Sequence, residues 1–153
     1  MAILNSTVGD YYIRTLGVTR NGGYFEYKPM FVEKLPVPML ECVRRKPFET
    51  LANYALQTTA KDLKLQAAYF EQLIDGLVYE LYFPDEIKAA GKEILPHLGE
   101  LPPITDTQST EKKLAVIQAE FDRLYDPRHP VRNHLETLDS VEVVKTIREA
   151  LKR

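Results

Sequence analysis

Across residues 62–83, Leu63, Ala67, Phe70, Ile74, Leu77, Val78 and Leu81 fall on one face of an α-helix, and Pro84 stops the run. A stripe of that length needs other helices to cover it. The chain has 153 residues, 44% of them apolar, enough to bury one core. Several neighbours fit the part. Pro47 suits a first helical position and leads into Phe48, Leu51, Ala52, Ala55 and Leu56, with a break or kink expected at Thr58-Thr59. Asp85-Glu86 belong in the first turn of a helix reaching about Leu95. Residues 99–109 read as a linker. Residues 110–125 carry Leu114, Ile117, Phe121 and Leu124 at a/d spacing, and Asp126-Pro127-Arg128-His129-Pro130 breaks that helix. Asp139 to Glu142 resembles a capping box opening a last helix with Val144, Ile147 and Leu151 inward.

The N-terminal part is less regular. Residues 3–16 have apolar positions 3, 4, 8, 11, 12 and 16, close to a helical stripe, with Gly17 as a left-handed C-cap. No leader precedes this helix, and the chain reads as a protein entered partway through. Asn21-Gly22-Gly23 is a turn. Residues 24–28 then read as a short strand with Tyr24, Phe25 and Tyr27, limited by Pro29 to an edge or an end. One helical turn is expected over 30–34, and Leu35-Pro36-Val37-Pro38 must be extended. The expected fold is mainly α, a helical bundle with a small β/turn element near the N-terminus. Its divisions are 1–46, a helical scaffold 47–98, the linker 99–109, and C-terminal helices 110–153 that pack on the scaffold.

Net charge is −2, but it is uneven. Residues 1–46 hold seven Lys/Arg against four acids, a net +3, and residues 47–153 hold thirteen against eighteen, a net −5. Nucleic-acid affinity rests on phosphate contacts and local positive charge, so a DNA face is expected in the first third. No apolar run approaches a membrane span. The single cysteine, Cys42, suits a reducing cytoplasm. His97, His129 and His134 lack zinc-site spacing and read as surface or capping residues, so no metal is expected. Pro84-Asp85 followed by Glu111 and Lys113 imitates a nuclease pattern, but its two parts open separate helices and cannot hold magnesium between adjacent strands.

One segment carries a resemblance. The N-G-G turn, the aromatic strand and F-V-E-K-L-P-V-P at 31–38, with I-L-N-S at 3–6, Tyr11-Tyr12 and Gly17, resemble the end of the TaqI-like C-terminal specificity domain of adenine-N6 DNA methyltransferases. They most resemble the type IIG restriction enzymes, which join a methyltransferase to an endonuclease. F-E-Q-L-I-D-G-L-V-Y-E-L-Y-F at 70–83 is similar to the helix that follows that domain. The methyltransferase Asn/Asp-Pro-Pro-Tyr/Phe tetrapeptide and a Gly-rich cofactor loop are not in this sequence.

The resemblance therefore implies a non-catalytic C-terminal piece of a restriction–modification enzyme, with residues 1–46 completing a target-recognition domain. Double-stranded DNA and the parent's methyltransferase and endonuclease domains would be its partners. S-adenosylmethionine and Mg2+ would belong to the parent and not to this piece. Arg20 is the leading DNA-contacting residue, reaching a phosphate or the O6/N7 edge of a guanine, with Thr19, Asn21 and Lys28 beside it. The bland alternative is a solvated turn. Arg44 and Arg45, with Lys46, form a basic run that either clamps phosphate or is simply solvated. Tyr24, Phe25 and Tyr27 stack on bases or, more simply, pack in a core. Asp75, beside the apolar stripe, is expected to bond a neighbouring helix or backbone. The rival reading is a helical protein–protein interaction module without DNA binding, using the 114/117/121/124 stripe. A homodimer through exposed helices remains open.

Overall fold

The computed structural model describes residues 2–17 and 28–152, except for the side chains at 42 and 43. Among them the chain is mainly helical: α1 (Thr7–Leu16), α2 (Pro29–Val32), α3 (Cys42–Ala60), α4 (Lys64–Tyr82), α5 (Pro84–Ala89), α6 (Leu95–Leu98), α7 (Thr110–Tyr125), α8 (Pro130–Glu136), a 3-10 turn (Leu138–Ser140) and α9 (Glu142–Leu151). No strand occurs among the described residues, and residues 24–27 of the expected strand lie outside them. No helix of the described residues is long and apolar enough to cross a membrane.

Helix α4 is the hub. Its buried residues are Ala67, Tyr69, Phe70, Leu73, Gly76, Leu77, Val78 and Tyr79, a wider arc than the expected stripe, in which Ile74 and Leu81 are only half-buried. The arc is wide because neighbours cover the helix from several sides. Antiparallel α3 makes the largest contact, and α1, α5 and α8 also touch it. Two apolar clusters result. One joins Leu51 and Tyr54 of α3 to Phe70, Leu73 and Leu77 of α4, Ile94, Leu98, and Ile117, Phe121 and Leu124 of α7. The other joins Val8 of α1, Val78 and Tyr79 of α4, Ile87 of α5, Leu138, and Val144 and Ile147 of α9. Phe48 packs against both. Three residues of the α7 a/d stripe therefore pack inside this chain, Ile117 at 1%, Phe121 at 6% and Leu124 at 0% exposed, while Leu114 is half-buried.

The helix boundaries follow local chemistry, and several differ from expectation. Helix α3 starts at Cys42, so Pro47 lies inside it. Arg44, Arg45 and Lys46 are good helix formers, and a proline this close to the start removes only one backbone bond. Thr58-Thr59 does not break α3. Buried Thr58 turns its hydroxyl back onto the carbonyls of Tyr54 and Ala55, both at 2.9 Å. The helix ends at Ala60 and is closed by Asp62, in the left-handed region at φ 57°, with Leu63 N–H bonding Thr58 O and Asp62 N–H bonding Thr59 O. Helix α5 stops well before Leu95 because Gly91, at φ 64°, makes the same kind of closure: Lys92 N–H reaches Ile87 O at 3.0 Å. Gly17 is extended at φ −89°, not left-handed, and the chain leaves α1 without turning back. Val141, not an Asp139 capping box, precedes α9, because 138–140 form a 3-10 turn and Asp139 bonds Arg148 instead. The 99–109 stretch carries no helix but is tied down: the Tyr54 hydroxyl donates to Pro102 O, and Leu101 and Ile104 pack on the core.

Two glycines mark close approaches. A Cβ at Gly76 would stand 2.5 Å from Ile94 Cδ1 and 2.7 Å from Leu135 Cδ2, both ends of side chains that can swing away. A Cβ at Gly9 would run into the backbone carbonyl of Ile3, which the Ser6 hydroxyl and N–H hold in place. Gly9→Ala is expected to lower stability by about 2 kcal/mol or more despite the better helix propensity of alanine, and Gly76→Ala by less. Denaturant unfolding of both variants checks the ranking, and the reverse order would refute it.

The buried tyrosines set an alkaline limit. Burial holds the phenols of Tyr54, Tyr69 and Tyr79 above their ordinary value of 10.0. Once pH passes that value the unfolded chain loses phenolic protons that the folded chain keeps, so stability falls as pH rises. Below pH 10 this contribution is complete. Ultraviolet titration is expected to show part of the tyrosine absorbance change arriving only together with loss of helix signal. Full ionisation with helicity intact would contradict this.

Candidate nucleic-acid interface

Helices α1 and α2 stand on either side of segment 18–27, which holds the expected contacts Thr19, Arg20 and Asn21 and the aromatic Tyr24, Phe25 and Tyr27. These lie outside the described residues. Lys28 does not: it is half-buried and occupies the N-cap position of α2.

The anchoring of α1 is the best-defined polar geometry in this part of the molecule. Ser6 caps the helix locally, accepting from Gly9 N–H at 3.1 Å. Asp75 of α4 caps it from a distance: its Oδ1 accepts from Thr7 N–H at 2.8 Å, and both carboxylate oxygens lie 2.9 Å from Thr7 Oγ1. A carboxylate at a helix N-terminus satisfies free N–H groups and complements the helix dipole. Thr7 Oγ1 is also 2.7 Å from the Tyr79 hydroxyl. Arg148 of α9 comes within 3.9 Å of Asp75 and bonds Asp139 at 2.6 Å. Burial works against the Arg148 charge, but the Asp139 hydrogen bond and the surrounding negative charges outweigh it, leaving the guanidinium pKa raised. The bond expected of Asp75 is thus present. Its partners Thr7, Tyr79 and Arg148 left no signal in sequence, since Thr7 lies 68 residues away from Asp75.

Downstream, the 33–36 strap is pinned twice. The Tyr12 hydroxyl donates to Lys34 O at 3.1 Å and the Tyr82 hydroxyl to Pro36 O at 2.5 Å, while Leu35 is buried. The strap keeps Met30, Val37 and Met39 exposed.

The basic run sits in the first turns of α3, not in the connection before it. Arg44, Arg45 and Lys46 are all exposed. The run is divided between two grooves. Arg44 and Lys46 line a groove of about 1020 Å³ between α3 and residues 95–104, which also presents Thr50, Asn53 and Glu100. Arg45 borders a separate apolar groove of about 330 Å³ beside Ile3, Leu4 and Val37. One compact clamp is not formed. Cations at a helix N-terminus oppose the dipole, which offsets part of their favourable helix propensity.

The nuclease-like residues stay apart in the fold's order: Asp85 opens α5, Glu111 opens α7, and Lys113 pairs with Asp106 at 3.8 Å. His129 caps α8, its Nδ1 accepting from Val131 N–H at 3.2 Å. Burial first, then Arg123 and His97, push its pKa down. Among the described residues no group of three or more His, Cys, Asp or Glu is placed to hold a metal ion. His97 and His134 are nevertheless neighbours, a pairing that spacing in sequence did not reveal.

Comparison of the chain with protein-family models, with curated proteins and with solved structures finds no match.

The anchoring predicts a measurable loss. Asp75→Ala leaves Thr7 N–H and Oγ1 without their carboxylate partner, with only the Ser6 cap remaining on α1, and Arg148 short of a partner, and is expected to cost about 2 kcal/mol. A thermal melt equal to that of the unsubstituted protein would remove the role assigned to Asp75.

Proposed function

We propose that this chain is a non-catalytic DNA-recognition and scaffold piece of a restriction–modification methyltransferase, acting on double-stranded DNA in the cytoplasm. The observation that carries the reading is the anchoring of the chain on either side of segment 18–27, at the start of α1 and in the stretch after α2. Helix α1 is clamped by Asp75 and Thr7, and the stretch after α2 is pinned by Tyr12 and Tyr82. A loop that reads DNA works best when rigid elements fix its ends. One further feature supports it: the exposed cations Arg44, Arg45 and Lys46 at the start of α3, which account for the whole net +3 of residues 1–46.

On this reading Arg20 makes the principal contact, Thr19, Asn21 and Lys28 assist, and Arg44 and Arg45 approach phosphates from separate faces. The helices from α3 onward set the position of the recognition segment against the parent's catalytic domains. Methyl transfer from S-adenosylmethionine, and any Mg2+-dependent cleavage, belong to those domains. For the interaction-module alternative, Ile117, Phe121 and Leu124 of its stripe are covered by the chain's own core, while Leu114 is half-buried and the acidic charge of residues 47–153 stands.

Weak duplex binding is expected, falling steeply with salt. Arg20→Ala should weaken it and lower the slope of log K against log salt by about one. Fluorescence anisotropy across a salt series reads both quantities. Salt-independent binding, or an Arg20→Ala protein that binds as before, would count against the site assignment.

A further inference from the structure

We infer that His97 and His134 form a two-histidine site for a divalent transition-metal ion of the zinc class, bridging α6 and α8. The two imidazoles come from residues far apart in sequence and meet with ring centroids 5.3 Å apart. Two imidazoles bound to one tetrahedral ion at about 2.1 Å have their centroids roughly 5 Å apart, so the two rings already stand at about the separation such a site requires.

The tautomer of His134 is fixed as well. Its Nδ1 lies 2.7 Å from the carbonyl oxygen of Glu93, which can only accept, so Nδ1 carries the proton and Nε2 keeps its lone pair. A ring N–H held by a backbone carbonyl is the usual outer support of a metal-binding histidine. His97 is exposed and His134 half-buried, so an ion can reach both.

The frame around the pair is rigid. Glu80 accepts from Ile94 and Leu95 N–H at 2.7 and 3.0 Å, holding one end of α6, and Arg123 donates to Leu98 O at 2.9 Å, holding the other. Helix α8 is held by the His129 cap and by the Arg132 bond to Tyr125 O. His129 itself is not a ligand: its Nδ1 is occupied as the cap acceptor, and its other nitrogen carries the proton of the neutral ring. Water completes the coordination. Nitrogen donors select the zinc, nickel and copper class over magnesium and calcium, which prefer oxygen.

The test uses the untagged full chain carrying Cys42→Ser, so that the thiol cannot supply a ligand. Titration with Zn2+ followed by calorimetry is expected to give one site, and saturating Zn2+ to raise the melting temperature by about 3–5 °C. Mg2+ at the same concentration should leave the melt unchanged. His97→Ala, at an exposed position, is expected to weaken binding by roughly tenfold or more and to abolish the thermal shift. His129→Asn, which retains a capping side chain, should bind as the parent does. No binding, an equal response to Mg2+, or Zn2+ binding that survives His97→Ala would overturn the assignment.

Discussion

The fold depends on carboxylates that leave one helix to cap others. Helix α4 sends Asp75 to the start of α1 and Glu80 to the start of α6, each accepting backbone N–H groups that have no partner within their own helix. Apolar burial holds α4 in place, but it is indifferent to how a neighbour is rotated or shifted along it. A carboxylate aimed at specific donors, Thr7 N–H and hydroxyl for Asp75 and two N–H groups for Glu80, is not indifferent. These two acids therefore set the register in which α1 and α6 lie against the hub. Other helix ends follow the same logic. The Tyr69 hydroxyl and the Arg132 guanidinium take the last carbonyls of α7, and the Arg123 guanidinium takes a carbonyl of α6. Among the described residues no buried side-chain nitrogen or oxygen is left without a partner.

How much of this was legible in the sequence depends on the range of the interaction. Helix α7 was read with its ends in place, because its a/d spacing is regular and Asp126-Pro127 supplies a local stop; the Ser109 cap seen in the structure is equally local. The existence of α4, and its end at Pro84, were equally plain. Its buried arc was not, since Tyr69, Leu73 and Tyr79 face neighbours that arrive from distant parts of the chain. Pro47 misled for a different reason. A proline near a helix start satisfies the same local rules whether it is the first residue or follows one more turn of good helix formers. Gly91 carried its signal openly, and it was the run of residues out to Leu95 that obscured it.

The candidate interface divides along the same line. Asp75 could be singled out because an acid beside an apolar stripe demands an explanation. Thr7 and Arg148 could not, because nothing in their own surroundings marks them as its partners. Arg44 and Arg45 look like a unit in sequence, yet they border different grooves. The histidines give the opposite case. His97 and His134 have no suggestive spacing, and only the packing of α6 on α8 brings their rings together.

Capping from α4 also bears on the order in which the molecule can assemble. The α3–α4 hairpin needs only a short closure through residues 61–63, and its contacts are local. Helix α1 gains its Asp75 bond only after a loop of 68 residues has closed, and by then α4 must already be formed to present that carboxylate. Helix α1, although it precedes this body in the chain, is on this account a late arrival in folding. It docks onto a body that the rest of the chain has already built.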